Sequence, residues 1–167
     1  VVDMPYKTYR NKKDALKNAK LILKKTKCDA LKLEGGRKIK NIIQTDSKTA
    51  ELTKYMNNTF FATKVSIMNE FKLLCDKIGA NWEDALSGFV SDGRIGDSHL
   101  NVPGHDGKLG YGGTCFPKDV NALLSFSKKH NVELNSIAGG WATNLKVRSE
   151  KDWEKKEGRS VSYKKQN

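Results

Sequence analysis

Residues 46–79 constrain this chain more than any other stretch. Ala50, Leu52, Tyr55, Met56, Phe60, Phe61, Val65, Met68, Phe71, Leu74, Cys75 and Ile78 recur there at three- and four-residue spacings, and no proline interrupts them. Thr45-Asp46-Ser47 supply capping residues at the start and Gly79 a stop. At 1.5 Å per residue the predicted helix is about 50 Å long. Apolar residues cover too much of it for one neighbour to bury. Such a helix packs one stripe into its own domain and offers another to a partner, which predicts a homodimer. The fold class that follows is mainly α.

The elements after the long helix are shorter. Asn81 is placed to cap a helix from Trp82 to Phe89, with Glu83 and Asp84 in its first turn where the helix dipole favours acids. Residues 91–114 carry seven glycines and read as one long loop, and loops of that length in compact domains are usually functional. Pro117 suits the first position of a helix over 117–129. A last helix is predicted over 134–147, followed by a polar, loosely held tail over 149–167.

Residues 1–44 differ in character. Val1 and Val2 read as the end of a strand that Pro5 stops. Asn11 can cap a helix over 12–26, where Ala15, Leu16, Ala19, Ile22 and Leu23 keep helical spacing. Residues 29–34 alternate as a short strand ending at Gly35-Gly36, and 38–43 read as a turn or two of helix. Strand, helix, strand with short links is a parallel βαβ unit, which cannot be a domain by itself because its sheet lacks neighbours. This stretch holds 13 of the 31 basic residues and 4 of the 19 acidic ones, net +9 of the chain's +12. The lysines sit on the polar side of the amphipathic helix without interleaved aromatics, so they read as a solvated face, with no nucleic acid as partner. A domain boundary is predicted near residue 44, giving 1–44, 45–148 and 149–167.

Other classes are excluded more simply. No apolar run approaches the roughly 20 residues of a membrane helix and no secretory pattern opens the chain, so no membrane partner is expected. Cys28, Cys75 and Cys115 form no disulfide framework and no zinc spacing, and they fit a reducing, cytoplasmic setting. Val1 in place of Met reads as the start of a fragment.

Cys115 is the candidate nucleophile. It follows the glycine-rich loop at a helix start, with Lys118 one turn on, a setting that suits a reactive thiol. Gly112 and Gly113 let a ligand approach the backbone closely. A small cysteine beside a turn remains the alternative at this point. Cys75, on an apolar helix face, and Cys28, after a helix end, read as inert.

Larger strings then become recognisable. Ala50-Glu51-Leu52-Thr53-Lys54-Tyr55-Met56-Asn57-Asn58, Lys64-Val65-Ser66, Asn69-Glu70, Asp92-Gly93-Arg94-Ile95-Gly96, Val102-Pro103-Gly104 and Gly110-Tyr111-Gly112-Gly113-Thr114-Cys115-Phe116-Pro117-Lys118-Asp119 occur in this order. From about Thr45 to Gly158 the chain resembles the middle, dimerisation domain of the UDP-glucose 6-dehydrogenases. The resemblance implies NAD-dependent oxidation of UDP-glucose to UDP-glucuronate, a step that feeds polysaccharide biosynthesis. It implies that Cys115 captures the aldehyde as a thiohemiacetal that becomes a thioester. Lys54 and Asn58, four apart on one helix, would stabilise the oxyanion, and Asp119 would assist water or proton transfer. Arg94 would reach the substrate of a neighbouring subunit, Tyr111, Gly112 and Gly113 would cradle the sugar, and Lys118 would face the cofactor. The family's Rossmann domain needs Gly-x-Gly-x-x-Gly after a strand, and that string is absent from these 167 residues. The chain by itself is therefore expected to bind NAD poorly and not to turn over.

Val2-Asp3-Met4-Pro5-Tyr6, Asp14-Ala15-Leu16-Lys17-Asn18-Ala19 and Ala30-Leu31-Lys32-Leu33-Glu34-Gly35-Gly36 resemble a different family, ketopantoate (3-methyl-2-oxobutanoate) hydroxymethyltransferase of pantothenate biosynthesis. That resemblance implies an incomplete piece of a TIM barrel, with Asp3 and Glu34 at an Mg²⁺ site and Lys32 on substrate. Two enzyme fragments joined near Gln44-Thr45 is the resulting expectation. A non-catalytic homodimerisation module is the alternative.

Overall fold

A computed structural model describes residues 2–4, 12–26, 31–33 and 46–156 of the 167. The chain divides into two compact units, Val1–Lys54 and Tyr55–Asn167. The division falls inside the long helix, ten residues beyond the boundary expected near residue 44.

In the first unit, strand β1 (Val2–Met4) and strand β2 (Leu31–Leu33) pair in parallel, with Val2 opposite Leu31, Asp3 opposite Lys32 and Met4 opposite Leu33. Helix α1 (Lys12–Thr26) joins them, with the bounds its periodicity predicts. The βαβ reading is therefore realised, with β2 at 31–33 of the 29–34 expected for it, the other three positions lying outside the described residues. Asn11, Glu34, the Gly35-Gly36 stop and the turn over 38–43 lie outside the described residues.

Helix α2 (Ser47–Ile78) is continuous over 32 residues, about 48 Å. Asp46 caps it: its carboxylate accepts from the Thr49 backbone N–H at 3.1 Å and from the Thr49 hydroxyl at 2.7 Å. Gly79 ends it at φ +71°, and the Ala80 N–H reaches back to the Cys75 carbonyl at 3.0 Å. Asn81 then caps helix α3 (Trp82–Val90), accepting from the N–H groups of Glu83 and Asp84.

Helix α4 (Cys115–Lys129) begins two residues earlier than Pro117 suggests. Proline is tolerated anywhere in a first turn, where backbone N–H groups lack intrahelical partners, so it marks the turn and not its first residue. The Lys118 N–H bonds to the Thr114 carbonyl at 3.3 Å, which makes Thr114 the cap and Cys115 the first helical residue. Helix α5 (Asn135–Val147) follows, then a 3-10 turn over Asp152–Lys155.

One face of α2 builds the core of the second unit. Ala62 packs with Tyr111 and Val120, and Met68 with Leu100 and Val102. Ser66 donates to the Gly140 carbonyl at 2.6 Å, and a Cβ on Gly140 would sit 3.3 Å from Thr63, so α2 and α5 touch backbone to backbone. Another face of α2 stays in solvent: Met56, Phe60, Ile67, Phe71, Leu74 and Ile78 are exposed and fall within one stripe at helical spacing.

Residues 149–156, the described part of the expected loose tail, depart from that expectation. Arg148 and Trp153 are only 4% and 3% exposed, and Asp152 bonds to the glycine-rich loop. Composition reads this stretch as polar because its burial depends on partners some 40 positions away in the chain. No described helix is long and apolar enough to cross a membrane.

Candidate active site

The glycine-rich loop is fixed to α2, α5 and the segment after α5 by polar side chains, of which Asn69 and Asn144 are buried. Asn144, fully buried, accepts from the Tyr111 N–H at 2.7 Å and donates to the Tyr111 carbonyl at 3.0 Å. Asn69 of α2 accepts from the Gly110 N–H at 3.0 Å, and Asp152 accepts from the Gly113 N–H at 2.9 Å. Two glycines are required here by space. A Cβ on Gly110, at φ +67°, would collide with the Asn144 amide oxygen, and one on Gly112 would collide with the Asp152 carboxylate.

This loop walls a cavity of about 660 Å³ that also meets Val65, His99, Thr114 and Cys115. Tyr111, Gly112 and Gly113 all line it, and Cys115 is exposed at the start of α4. Burial drives the Tyr111 phenol well above its ordinary acid range, so it stays protonated. His99 stacks on Phe61 with ring centroids 4.4 Å apart. Partial burial, then the charges of Lys64 and His105, hold its pKa below the usual histidine value, so the neutral imidazole faces the cavity at neutral pH. Lys64 itself donates to the carbonyls of Gly96 at 2.7 Å and Ser98 at 2.8 Å, tying the preceding loop to α2.

One turn along α4 from Cys115 is a second cluster. Asp119, 1% exposed, accepts a hydrogen bond at Oδ2 from the Asn58 side-chain amide. Its Oδ1 lies 2.8 Å from Lys118 Nζ, an ion-pair contact without hydrogen-bond alignment, leaving Oδ1 without a hydrogen-bond partner. The Asp119 carboxylate raises the Lys118 pKa, so the ammonium is retained. Cys115 and Asp119, four apart, share one face of α4. Lys54 stands four residues before Asn58 in the same helix α2.

The remaining predicted residues stay apart from this arrangement. The Arg94 side chain, 87% exposed, pairs with neighbouring Asp92 and does not line the cavity. Asp3 and Lys32 are opposed in the parallel ladder, and Glu34 lies outside the described residues. Among the described residues no three metal-binding side chains converge, so nothing there fits Mg²⁺. NAD is not fitted either: the described residues contain no doubly wound sheet with a glycine-rich phosphate turn. Asn69, Asn144, Arg148 and Asp152 are structural members of the site that composition does not single out.

A glycine loop, a cysteine opening a helix and an Asn–Asp pair with a buried carboxylate one turn away define a helical domain built around an accessible thiol. Residues 48–145 match the UDP-glucose/GDP-mannose dehydrogenase family, central domain, and the chain belongs to that family. Residues 1–49 match ketopantoate hydroxymethyltransferase. The chain is similar to UDP-glucose 6-dehydrogenase YwqF of Bacillus subtilis, 44% identical over 95 residues, which is 56% of this chain and 20% of the relative. It is likewise similar to UDP-glucose 6-dehydrogenase of Rickettsia felis, 44% identical over 91 residues (54% and 19%). The corresponding Rhizobium meliloti protein is 41% identical over 103 residues (62% and 22%). The chain thus spans about a fifth of the length of the curated relatives it matches.

Proposed function

We propose that this chain supplies the catalytic thiol of a UDP-glucose 6-dehydrogenase, the oxidation of UDP-glucose to UDP-glucuronate. The observation that carries the reading is the placement of Cys115 on the wall of the glycine-loop cavity with Asp119 and Asn58 one turn behind it. In this reading Cys115 adds to the carbonyl carbon of the sugar aldehyde, forming a C–S bond and an oxyanion. Lys54 and Asn58 are the donors proposed for that oxyanion. Asp119 is the base proposed to take a proton from the water that later cleaves the thioester, releasing the carboxylate and the thiol. Tyr111, Gly112 and Gly113 hold the sugar, Arg94 serves the site of a neighbouring subunit and Lys118 neutralises the anionic end of the cluster. The hydride acceptor of the family is NAD, and no step here is derived through it.

The partner proposed is a second copy of this chain, joined along the Met56–Ile78 stripe of α2. A standard interface buries about 800 Å² per partner, within reach of this stripe and its neighbours. Unpaired Cys75 and Cys115 suit a reducing cytoplasm. The first unit is proposed as a piece of a TIM barrel joined to the dehydrogenase domain near Gln44-Thr45. A second reading, a non-catalytic dimerisation module, is favoured by the same exposed stripe. Site-resolved alkylation of the full chain separates the two. UDP-glucose at millimolar concentration slows labelling of Cys115 and leaves Cys75 unchanged if the cavity takes the sugar nucleotide. Dimerisation without any protection supports the module.

A further inference from the structure

The segment after α5 reaches back across the chain to the loop that carries the thiol. Arg148, 4% exposed, is its hub. Its Nη2 meets Asp106 at 2.8 Å and Asp152 at 3.5 Å, and its Nη1 meets the Leu109 carbonyl at 3.5 Å. Asp152 in turn accepts from the Gly113 N–H at 2.9 Å, across 39 positions of sequence. Trp153 seals the other side, 3% exposed with its ring 5.5 Å from Trp141. Gly112 lies so close to this segment that even a methyl group would collide with Asp152. The second half of the loop is therefore held at three points, Asp106, Leu109 and Gly113.

We propose that Asp152, held by Arg148, is a positioning residue for Cys115. Gly113 stands at φ +76° two residues before Cys115, and its amide donates to Asp152 just before α4 begins. Fixing that amide fixes the turn, and the turn sets where the cysteine enters the 660 Å³ cavity. Asp152 also lines the cavity, yet its geometry argues for anchoring and against proton transfer. Oδ2 is engaged by the Gly113 N–H and lies 3.6 Å from Lys156, while Oδ1 faces the Arg148 guanidinium. A carboxylate committed in this way is a poor base and a good anchor, because hydrogen bonds to charged groups exceed neutral ones in strength. This inference rests on Cys115 being the working thiol, as proposed above.

The test uses the full chain and two readouts that need no substrate. Amide hydrogen exchange is followed at Gly113–Phe116, and alkylation by limiting iodoacetamide is resolved for Cys28, Cys75 and Cys115 by peptide mass. In Asp152→Ala, exchange at Gly113–Phe116 is expected to rise about tenfold, as for loss of a charge-assisted hydrogen bond. Cys115 labelling should change at least about threefold relative to Cys28 and Cys75. Asp152→Asn keeps an acceptor for Gly113 without the charge and should recover most of both effects, a rescue that a general loss of stability would not give. Equal behaviour of the Ala variant and the parent overturns the proposal, as does a common acceleration at all three thiols. Should Asp152→Ala not fold, the parent decides: a Gly113 amide that exchanges as fast as the exposed loop amides overturns it. Absence of UDP-glucose protection, with these exchange effects intact, counts against the proposed activity and leaves the anchoring in place.

Discussion

Asn144→Ala tests the reasoning behind the loop's placement. Asn144 is fully buried and satisfies both backbone groups of Tyr111, at 2.7 Å and 3.0 Å. Truncation leaves a buried N–H and a buried C=O without partners, each costing about 1–3 kcal/mol. The two together come to about 2–6 kcal/mol, with the low end set by a water entering the space left by the amide. For a unit of roughly 100 residues, 1 kcal/mol shifts the melting midpoint by about 4–8 °C, so the expected drop is at least about 8 °C. Trp141 and Trp153 bracket this region and make intrinsic fluorescence a suitable probe of the melt. Asn121→Ala is the control. It removes a single half-buried bond, from its amide to the Pro117 carbonyl at 2.7 Å, and should cost about 1 kcal/mol or less. A drop below about 3 °C for Asn144→Ala, or equal drops for the two variants, would refute the claim that this amide secures the loop.

Other consequences can be checked more briefly. Gly112→Ala forces a methyl group into Asp152 and should cost about 1–3 kcal/mol in denaturant melts, whereas Gly96→Ala, with open space around it, should cost much less. Cys115, exposed, should alkylate faster than buried Cys75 in folded protein, and equal rates would remove the physical basis for the thiol assignment. Phe60→Glu with Phe71→Glu, both on the exposed stripe of α2, should convert a dimer to a monomer in analytical ultracentrifugation; a parent chain that is already monomeric at high concentration defeats the dimer proposal. Asp106 is held below the usual 3.8 chiefly by Arg148. Asp152 is also held below it, because the Gly113 amide, Arg148 and Lys156 outweigh the opposing effect of burial. Their folded-state acids are depressed, so their stabilisation is present above about pH 4 and fades as pH falls through the lowered values. The acid limb of the melting curve should flatten in Asp106→Asn combined with Asp152→Asn.

Much of the helical framework is legible in the sequence because its signals are local. Helical periodicity gives α1 and α2, Asn81 gives the start of α3, and Gly79 needs its positive φ to end α2. The start of α4 is misjudged by two residues, because Pro117 is compatible with any position in the first turn. The apolar residues of α2 are legible as a set, yet the sequence cannot sort them. Met68 is buried while Phe71 and Leu74 are exposed, and only the positions of α3 and the 100–102 segment decide which stripe becomes core.

The site divides along the same line. Cys115 is conspicuous by residue type and position, Asp119 and Asn58 stand out only through the family resemblance, and a hydrogen bond joins Asn58 to Asp119 across 61 positions. Arg148 and Asp152 escape a reading by composition, since an arginine and an aspartate near a lysine-rich end look like solvated charges. What buries them is geometric. Gly112 lacks a side chain, Gly113 turns its amide outward, and the space they leave admits one carboxylate and one guanidinium. The glycines that read as room for a ligand therefore serve a second purpose on their other side, where the loop is clamped to the end of α5. A cysteine at the head of a helix gains position only if the turn before it is held. Here that hold comes from charges whose placement depends on the last helix having packed against α2.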